Sequence, residues 1–257
     1  MSFFHWNLYD RVHPFAGLAN YAHLFTDRGF LTALRNTALY TVFTVCIGTF
    51  LALVLALLLN RNLRFGSLYR FVYVIPLVVP VVASAVVWEW LFHPSRGLIN
   101  YFLSFFGIGR IGWLVDPHFA LAAVIIMGIW NHLGFDMIIL LTGLKAIPAS
   151  YFEAARVDGA TALQKTVYVT LPQLRPIILF VTVVATIRAF EVFGQVYVLT
   201  SGGPMDATRV IVYEIYTAAF RSQTMGYASA IAFFLFGILI VLSLLQIKIG
   251  SFREARG

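Results

Sequence analysis

Between Gly159 and Thr166 the chain reads Gly-Ala-Thr-Ala-Leu-Gln-Lys-Thr, the frame of a phosphate-binding loop, G-x-x-x-x-G-K-T. That loop works by closing backbone N–H groups around phosphate oxygens, and its second glycine permits the approach. Here Gln164 takes that place, and the residues before it have a helical pattern where the fold would need a buried strand. Nucleotide binding is therefore not expected of this chain. His5, His13, His23, His93, His118 and His132 lie far apart, with no i,i+4 pair to hold a metal from one helix face. Cys46 is alone, so it forms neither an internal disulfide nor a cysteine metal site. No nucleophile, metal or cofactor signature points to an enzyme.

The other groups capable of chemistry sit inside apolar runs. Asp136 stands near Asn131 and Phe135, while Arg188 and Glu191 are three residues apart and so share a helix face. A charge at the centre of a membrane helix costs about 2.5–3.5 kcal/mol on insertion scales, so it faces a bundle interior or a wet cavity. Two readings fit. Arg188 and Glu191 neutralise each other and serve as bundle glue, or Asn131, Phe135, Arg188 and Glu191 line a solute pathway. Aromatic faces suit sugar rings and polar tips suit hydroxyls; an unpaired Arg188 would suit a phosphate-bearing solute. His132 reads as a bundle-facing polar residue, and Glu89, between Trp88 and Trp90, as an interfacial one.

The elements that carry these groups follow from composition. Hydrophobic residues make up 60% of the 257 and charged ones 11%, against about 25% charged in soluble domains; mean hydropathy is +0.85. Such a chain lacks the polar surface to stay in water. The +7 formal charge contains no basic run, which argues against nucleic acid and for a topology signal. A bilayer core of about 30 Å needs roughly 20 apolar residues as helix, and 36–59, 68–92, 118–142, 176–200 and 226–248 qualify. Lipid offers no partner to open backbone groups, and no period-2 alternation supports a barrel. The expected fold class is all-α, a polytopic transmembrane helical bundle with five visible spans.

Basic residues orient it. Arg61, Arg64 and Arg70, then Lys145, Arg156, Lys165 and Arg175, then Lys248, Arg253 and Arg256 fall on one side. They outnumber Arg11, Arg28, Arg35, Arg96, Arg110, Arg209 and Arg221 on the other, and all the lysines are among them. The first side is cytoplasmic, which places residues 1–35 outside as an extracytoplasmic segment and 36–257 as the transmembrane domain.

The cytoplasmic stretch 143–175 is long for such a protein and reads as two short helices. Pro148 suits the start of a helix over Ala149–Val157, Asp158-Gly159 breaks it, and Thr161 caps a second helix ending near Leu171-Pro172. Its residues Glu153-Ala154-Ala155, Asp158-Gly159-Ala160, Gln164, Val169 and Leu171-Pro172 resemble the EAA loop of ABC importer permeases, E-A-A-x-x-D-G-A followed by Q and L-P. Thr166 departs from the usual aromatic. Further segments extend the likeness: Gly17-Leu18-Ala19-Asn20-Tyr21 with Leu24-Phe25, Tyr69-Arg70 through Pro76 and Pro80, Gly128-Ile129-Trp130, Leu144 to Pro148, and Leu199-Thr200-Ser201-Gly202-Gly203-Pro204 with Thr208. They resemble the carbohydrate and glycerol-phosphate branch, similar to maltose-transporter-type permeases.

The resemblance implies a type I importer permease in a bacterial plasma (inner) membrane, moving an oligosaccharide or glycerol 3-phosphate by alternating access. It implies an ATPase dimer, a second permease and an extracytoplasmic solute-binding protein as partners, with no cofactor on this chain. It assigns the coupling loop to Glu153, Ala154, Ala155, Asp158, Gly159, Ala160, Gln164, Leu171 and Pro172. The family usually carries a further span before the Gly17 segment, so either a sixth span is expected upstream or this is a genuine five-span version. The competing class is an ion-coupled secondary transporter using Asp136, Arg188 and Glu191; such proteins carry inverted repeats, which are not evident here, and it gives the long loop no role.

Overall fold

The apolar blocks become helices, though not always the helices their lengths suggest. The computed structural model describes residues 1–7, 9–61 and 64–254, with side chains as far as 250, so Arg256 and the side chain of Arg253 from the basic tail lie outside the described residues. In chain order the helices are α1 (Ala19–Leu24), α2 (Arg28–Leu59), α3 (Gly66–Val78), α4 (Val81–Leu91), α5 (Leu98–Ser104) and α6 (Pro117–Ala146). They continue as α7 (Ala149–Val157), α8 (Ala162–Lys165), α9 (Leu171–Phe190), α10 (Gly194–Leu199), α11 (Ile211–Tyr216) and α12 (Met225–Glu254). Among the described residues extended pairing is limited to the isolated bridges Phe4–Phe15 and Asn7–Thr224.

Four runs are long and apolar enough to cross a bilayer: Arg28–Leu59, Pro117–Ala146, Ala162–Leu199 and Met225–Gly250. The block 68–92, expected as one span, is instead the pair α3 and α4, bent by 102°. The cause is Pro80. It has no N–H to give the carbonyl of Pro76, and it pushes Val79 out of the helical region, to φ −78°, ψ 131°. The second helix of the loop 143–175 also departs from expectation. It does not end at Leu171-Pro172 but runs from α8 through a π-helical turn, Thr166–Thr170, into α9. A π turn widens the coil by one residue per bond, which relieves the clash between a proline ring and the preceding turn. The Thr170 hydroxyl adds a bond to the Lys165 carbonyl at 3.3 Å.

The chain divides into two compact units, and each of the long helical runs contributes to both. The first comprises 1–44, 80–128 and 187–242, the segments assigned above to the extracytoplasmic side and the helix halves leading to them. Its core joins Leu24, Phe30, Ala33, Phe190, Ile211, Ala218, Ile231 and Leu235. Asn20 of the Gly17 segment is buried and donates to the carbonyls of Ser2 and Phe4 at 2.8 and 3.1 Å, and Gly226 N–H donates to Trp6 O at 3.1 Å. A Cβ on Gly226 would stand 2.2 Å from Phe4 O, so the glycine is what lets the N-terminal segment lie on α12.

The second unit comprises 45–79, 129–186 and 243–257. Helices in lipid gain little from apolar burial and associate through close packing at small residues. Ala52 and Ala56, one turn apart on α2 and fully buried, meet Met137, Leu140, Leu141 and Leu144 of α6 with Leu174 and Val181 of α9. Gly134 brings α6 into backbone contact with α3, since a Cβ there would lie 1.9 Å from Tyr73 O. Arg70 closes the unit's α2 end by donating to Leu59 O at 3.2 Å.

Candidate functional site

The loop 143–175 is built by its own capping chemistry. Pro148 precedes α7, and α7 ends in the αL turn that Asp158-Gly159 predicts: Gly159 has φ +72°, its N–H bonds Arg156 O at 3.1 Å, and Ala160 N–H bonds Ala155 O at 2.9 Å. These are the two bonds of a Schellman motif. The Ala155 carbonyl of the Glu-Ala-Ala triplet is thus one that Gly159 makes it possible to satisfy. Thr161 then caps α8. Its hydroxyl accepts from Gln164 N–H at 3.3 Å, and the Gln164 side chain accepts from Thr161 N–H at 2.7 Å, a reciprocal capping box. The phosphate-loop frame is therefore occupied by a helix cap, with the Gln164 side chain spent on backbone.

Within α7 and α8 no residue is buried. Glu153, Ala154, Asp158, Gly159 and Gln164 are exposed, and Ala155, Ala160, Leu171 and Pro172 are half-buried. Around them large apolar side chains also stand open: Val157 is 87% exposed, Leu163 74% and Tyr168 74%. The loop thus has firm caps, no buried residue in α7 or α8, and an exposed apolar rim.

The pathway candidates are distributed over both units. Asn131 and Phe135 belong to the second, Arg188 and Glu191 to the first. Asn131 is buried and its Nδ2 donates to Pro76 O at 3.2 Å, replacing the bond that Pro80 cannot make. At least one of its donors is thus committed to the helix break, while Phe135 remains half-buried. Asp136 is buried. Arg188, half-buried near the end of α9, has partners, and its charge acts on the Tyr40 hydroxyl. An unpaired Arg188, the condition for favouring a phosphate-bearing solute, is not met. Glu191 is exposed just beyond the last residue of α9.

A buried pair in the first unit was missed by pattern reading. Gln195 of α10 donates from Nε2 to Tyr40 Oη of α2 at 2.5 Å, and both side chains are buried. Gly128 makes the space: a Cβ there would fall 2.1 Å from Tyr40 Oη and 3.1 Å from Gln195 Nε2. The available signal was a polar stripe at helical spacing on α2, Asn36-Thr37, Tyr40-Thr41 and Thr44. Its outer end holds the loop before α11. Asn36 donates to Asp206 O and Arg209 O at 2.8 and 3.0 Å, and the Thr37 hydroxyl accepts from Ile211 N–H at 2.9 Å. Arg209 ion-pairs there with buried Glu214, and with Asp206 at 3.2 Å. Burial pulls against the Arg209 charge, but the hydrogen bond and charge of Glu214 outweigh it and hold the guanidinium above its ordinary pKa. Asp27 is likewise opposed by burial, yet bonds from Tyr227 and from the amides of Gly29 and Phe30 keep its carboxyl below the usual range.

Beside this loop a cavity of about 690 Å³ is lined by Glu89, Phe92, His93, Thr200, Ser201 and Pro204. Thr208 donates to Gly203 O at 2.8 Å and pairs with Thr200 at 2.7 Å, which explains why threonine stands after the Gly-Gly-Pro run. Phe193, Tyr197 and Tyr216 of the same unit form a ring cluster with centroids 5.4–5.5 Å apart.

The sequence profile of the binding-protein-dependent transport system inner membrane component family matches residues 32–249. A probable ABC transporter permease protein of Bacillus subtilis is 36% identical over 253 residues, covering 96% of this chain and 86% of that protein. The trehalose/maltose transport system permease protein of Thermococcus litoralis is 35% identical over 241 residues, 94% of this chain and 81% of its own length. Among solved structures, a bacterial ABC transporter involved in import of the acidic polysaccharide alginate superposes with a TM-score of 0.83 at 26% identity, covering 93% of this chain and 84% of its counterpart.

Proposed function

The chain belongs to the binding-protein-dependent transport system inner membrane component family, and from that premise we propose that it forms half of the translocation path for a sugar or oligosaccharide. It is a multi-pass ABC permease subunit. A second permease completes the path, a pair of separate ATPase chains supplies the energy, and a solute-binding protein delivers cargo at the outer face of a bacterial inner membrane. The observation that carries the reading is the loop 148–172, whose capped helices bury nothing while Val157, Leu163 and Tyr168 stand exposed. An ATPase cleft is the occupant that fits an apolar rim around the exposed carboxylates of Glu153 and Asp158. The solute class is supported by the carbohydrate relatives and by the rings and amides along the candidate path.

In this mechanism ATP-driven closure of the partners pushes on α7 and α8. The helix continues from Ala162 through the π turn into α9, so the push is carried along α9, which holds Arg188 and ends just before Glu191. Alternating access follows when the path exchanges its inner opening for an outer one. Proteoliposomes holding the four-chain complex should accumulate labelled trehalose or a related glucoside only with ATP at the ATPase face and binding protein at the other. Arg188→Ala and Glu191→Ala should each lower uptake at least tenfold in an intact complex. Accumulation driven by an ion gradient without ATP would reverse the reading in favour of a secondary transporter.

A further inference from the structure

The buried pair Tyr40 and Gln195 has more polarity around it than helix association requires. A hydroxyl and an amide inside a membrane bundle can act as glue, yet their measured contribution there averages only about 0.6 kcal/mol, and an apolar pair would seal the same contact without desolvating polar groups. Here α6 has also given up a side chain for the pair, since Gly128 leaves the space that Tyr40 Oη and Gln195 Nε2 fill. Along the same stripe of α2 the hydroxyl of Thr41 is buried with no hydrogen-bond partner among the described residues, as is that of Ser84 on α4. Such groups wait for donors and acceptors that the chain does not supply.

The pair also joins an unbroken helix to a short one. Tyr40 lies within the unbroken α2, whereas Gln195 lies on α10, a half-helix separated from α9 by residues 191–193. α10 packs against the other half-helix of its unit, α4, with Gly194 facing Val81. Movement of α10 away from α2 must break this hydrogen bond and leave a buried hydroxyl and amide needing replacements.

We propose that the Gln195–Tyr40 hydrogen bond is a latch on the outer part of the solute path, closed here and broken when the path opens outward, its two polar groups then passing to hydroxyls of the polyhydroxylated solute. The inference rests on the permease reading above. It makes Tyr40 and Gln195 both gate and recognition elements, and gives Gly128 the task of admitting the latch.

The test uses the complete complex in lipid nanodiscs, without binding protein or solute, and reads ATP hydrolysis. Removing one hydrogen bond of about 0.6 kcal/mol from the closed state shifts the closed-to-open balance about threefold. Tyr40→Phe and Gln195→Leu should each raise basal hydrolysis by that factor, and the double variant should add little because both remove the same bond. In parallel, 3-fluorotyrosine at position 40 of the otherwise unaltered chain should change its fluorine resonance when the complex is trapped with ATP and vanadate. Basal hydrolysis within twofold of wild type in both single variants, or an unmoved resonance in the trapped complex, would overturn the latch. A wild-type complex that never hydrolyses ATP would overturn the permease reading instead.

Discussion

Gly134→Val should leave little folded protein in the membrane, while Gly237→Ala in α12 should be tolerated. At Gly134 the obstacle is backbone: an added Cβ would stand 1.9 Å from Tyr73 O and 2.6 Å from Tyr73 C, so no rotamer can relieve it. The two helices would have to part by more than an ångström. That would open the packing of Met137 and Leu140 and strain the Asn131 bond to Pro76, one turn away. Overpacking by side chains costs about 1–3 kcal/mol, and a backbone clash lies at or beyond the upper end. Gly237 has open space around its Cβ position, and alanine in place of a helical glycine gains about 0.5–1 kcal/mol. Thermal unfolding of the purified complex compares them; equal stability of the two variants would refute the close crossing of α3 and α6.

Arg209→Met should be the most damaging change outside the spans. Glu214 retains only 5% of its side-chain exposure and its cation is Arg209. Removing one member of a buried pair costs about 3–5 kcal/mol because a desolvated charge is left behind, whereas replacing both by apolar groups is often neutral. Arg209→Met should therefore lower the unfolding temperature sharply, and the double change Arg209→Met with Glu214→Leu should recover most of it. Failure of the second change to compensate would show that the Arg209 side chain acts mainly through its ion pair with Asp206.

Much of this molecule is local, and the local part was legible in sequence. Thr161, Gln164, Gly159 and Pro148 act through bonds within a few residues of themselves, so their types announce the caps and the turn. Apolar length announced the spans, and the matched motifs announced the family. What escaped depends on partners distant in the chain. Pro80 was visible, but whether it kinks or breaks a span depends on Asn131, more than fifty residues away, taking up the orphaned carbonyl. Pro172 was read as a terminator because the compensating π turn has no simple residue code. Tyr40 belongs to a polar stripe of α2, but nothing near it in the chain pairs it with Gln195 until α2 and α10 are brought together beside Gly128. Asn131 shows the converse: a residue singled out for solute contact has a donor held by the helix break.

The measurement that bears most directly on the central claim is co-purification of the tagged chain with its ATPase and second permease, comparing wild type with Glu153→Lys and Gly159→Trp. Glu153 is exposed on α7, and tryptophan at a residue with φ +72° must break the Schellman turn that fixes the relation of α7 to α8. Neither position touches a core, so both variants should insert and bind the second permease. The account predicts recovery of the ATPase with wild type and its loss with both variants. Undiminished recovery of the ATPase with both would contradict it, and would move the docking surface off the loop 148–172.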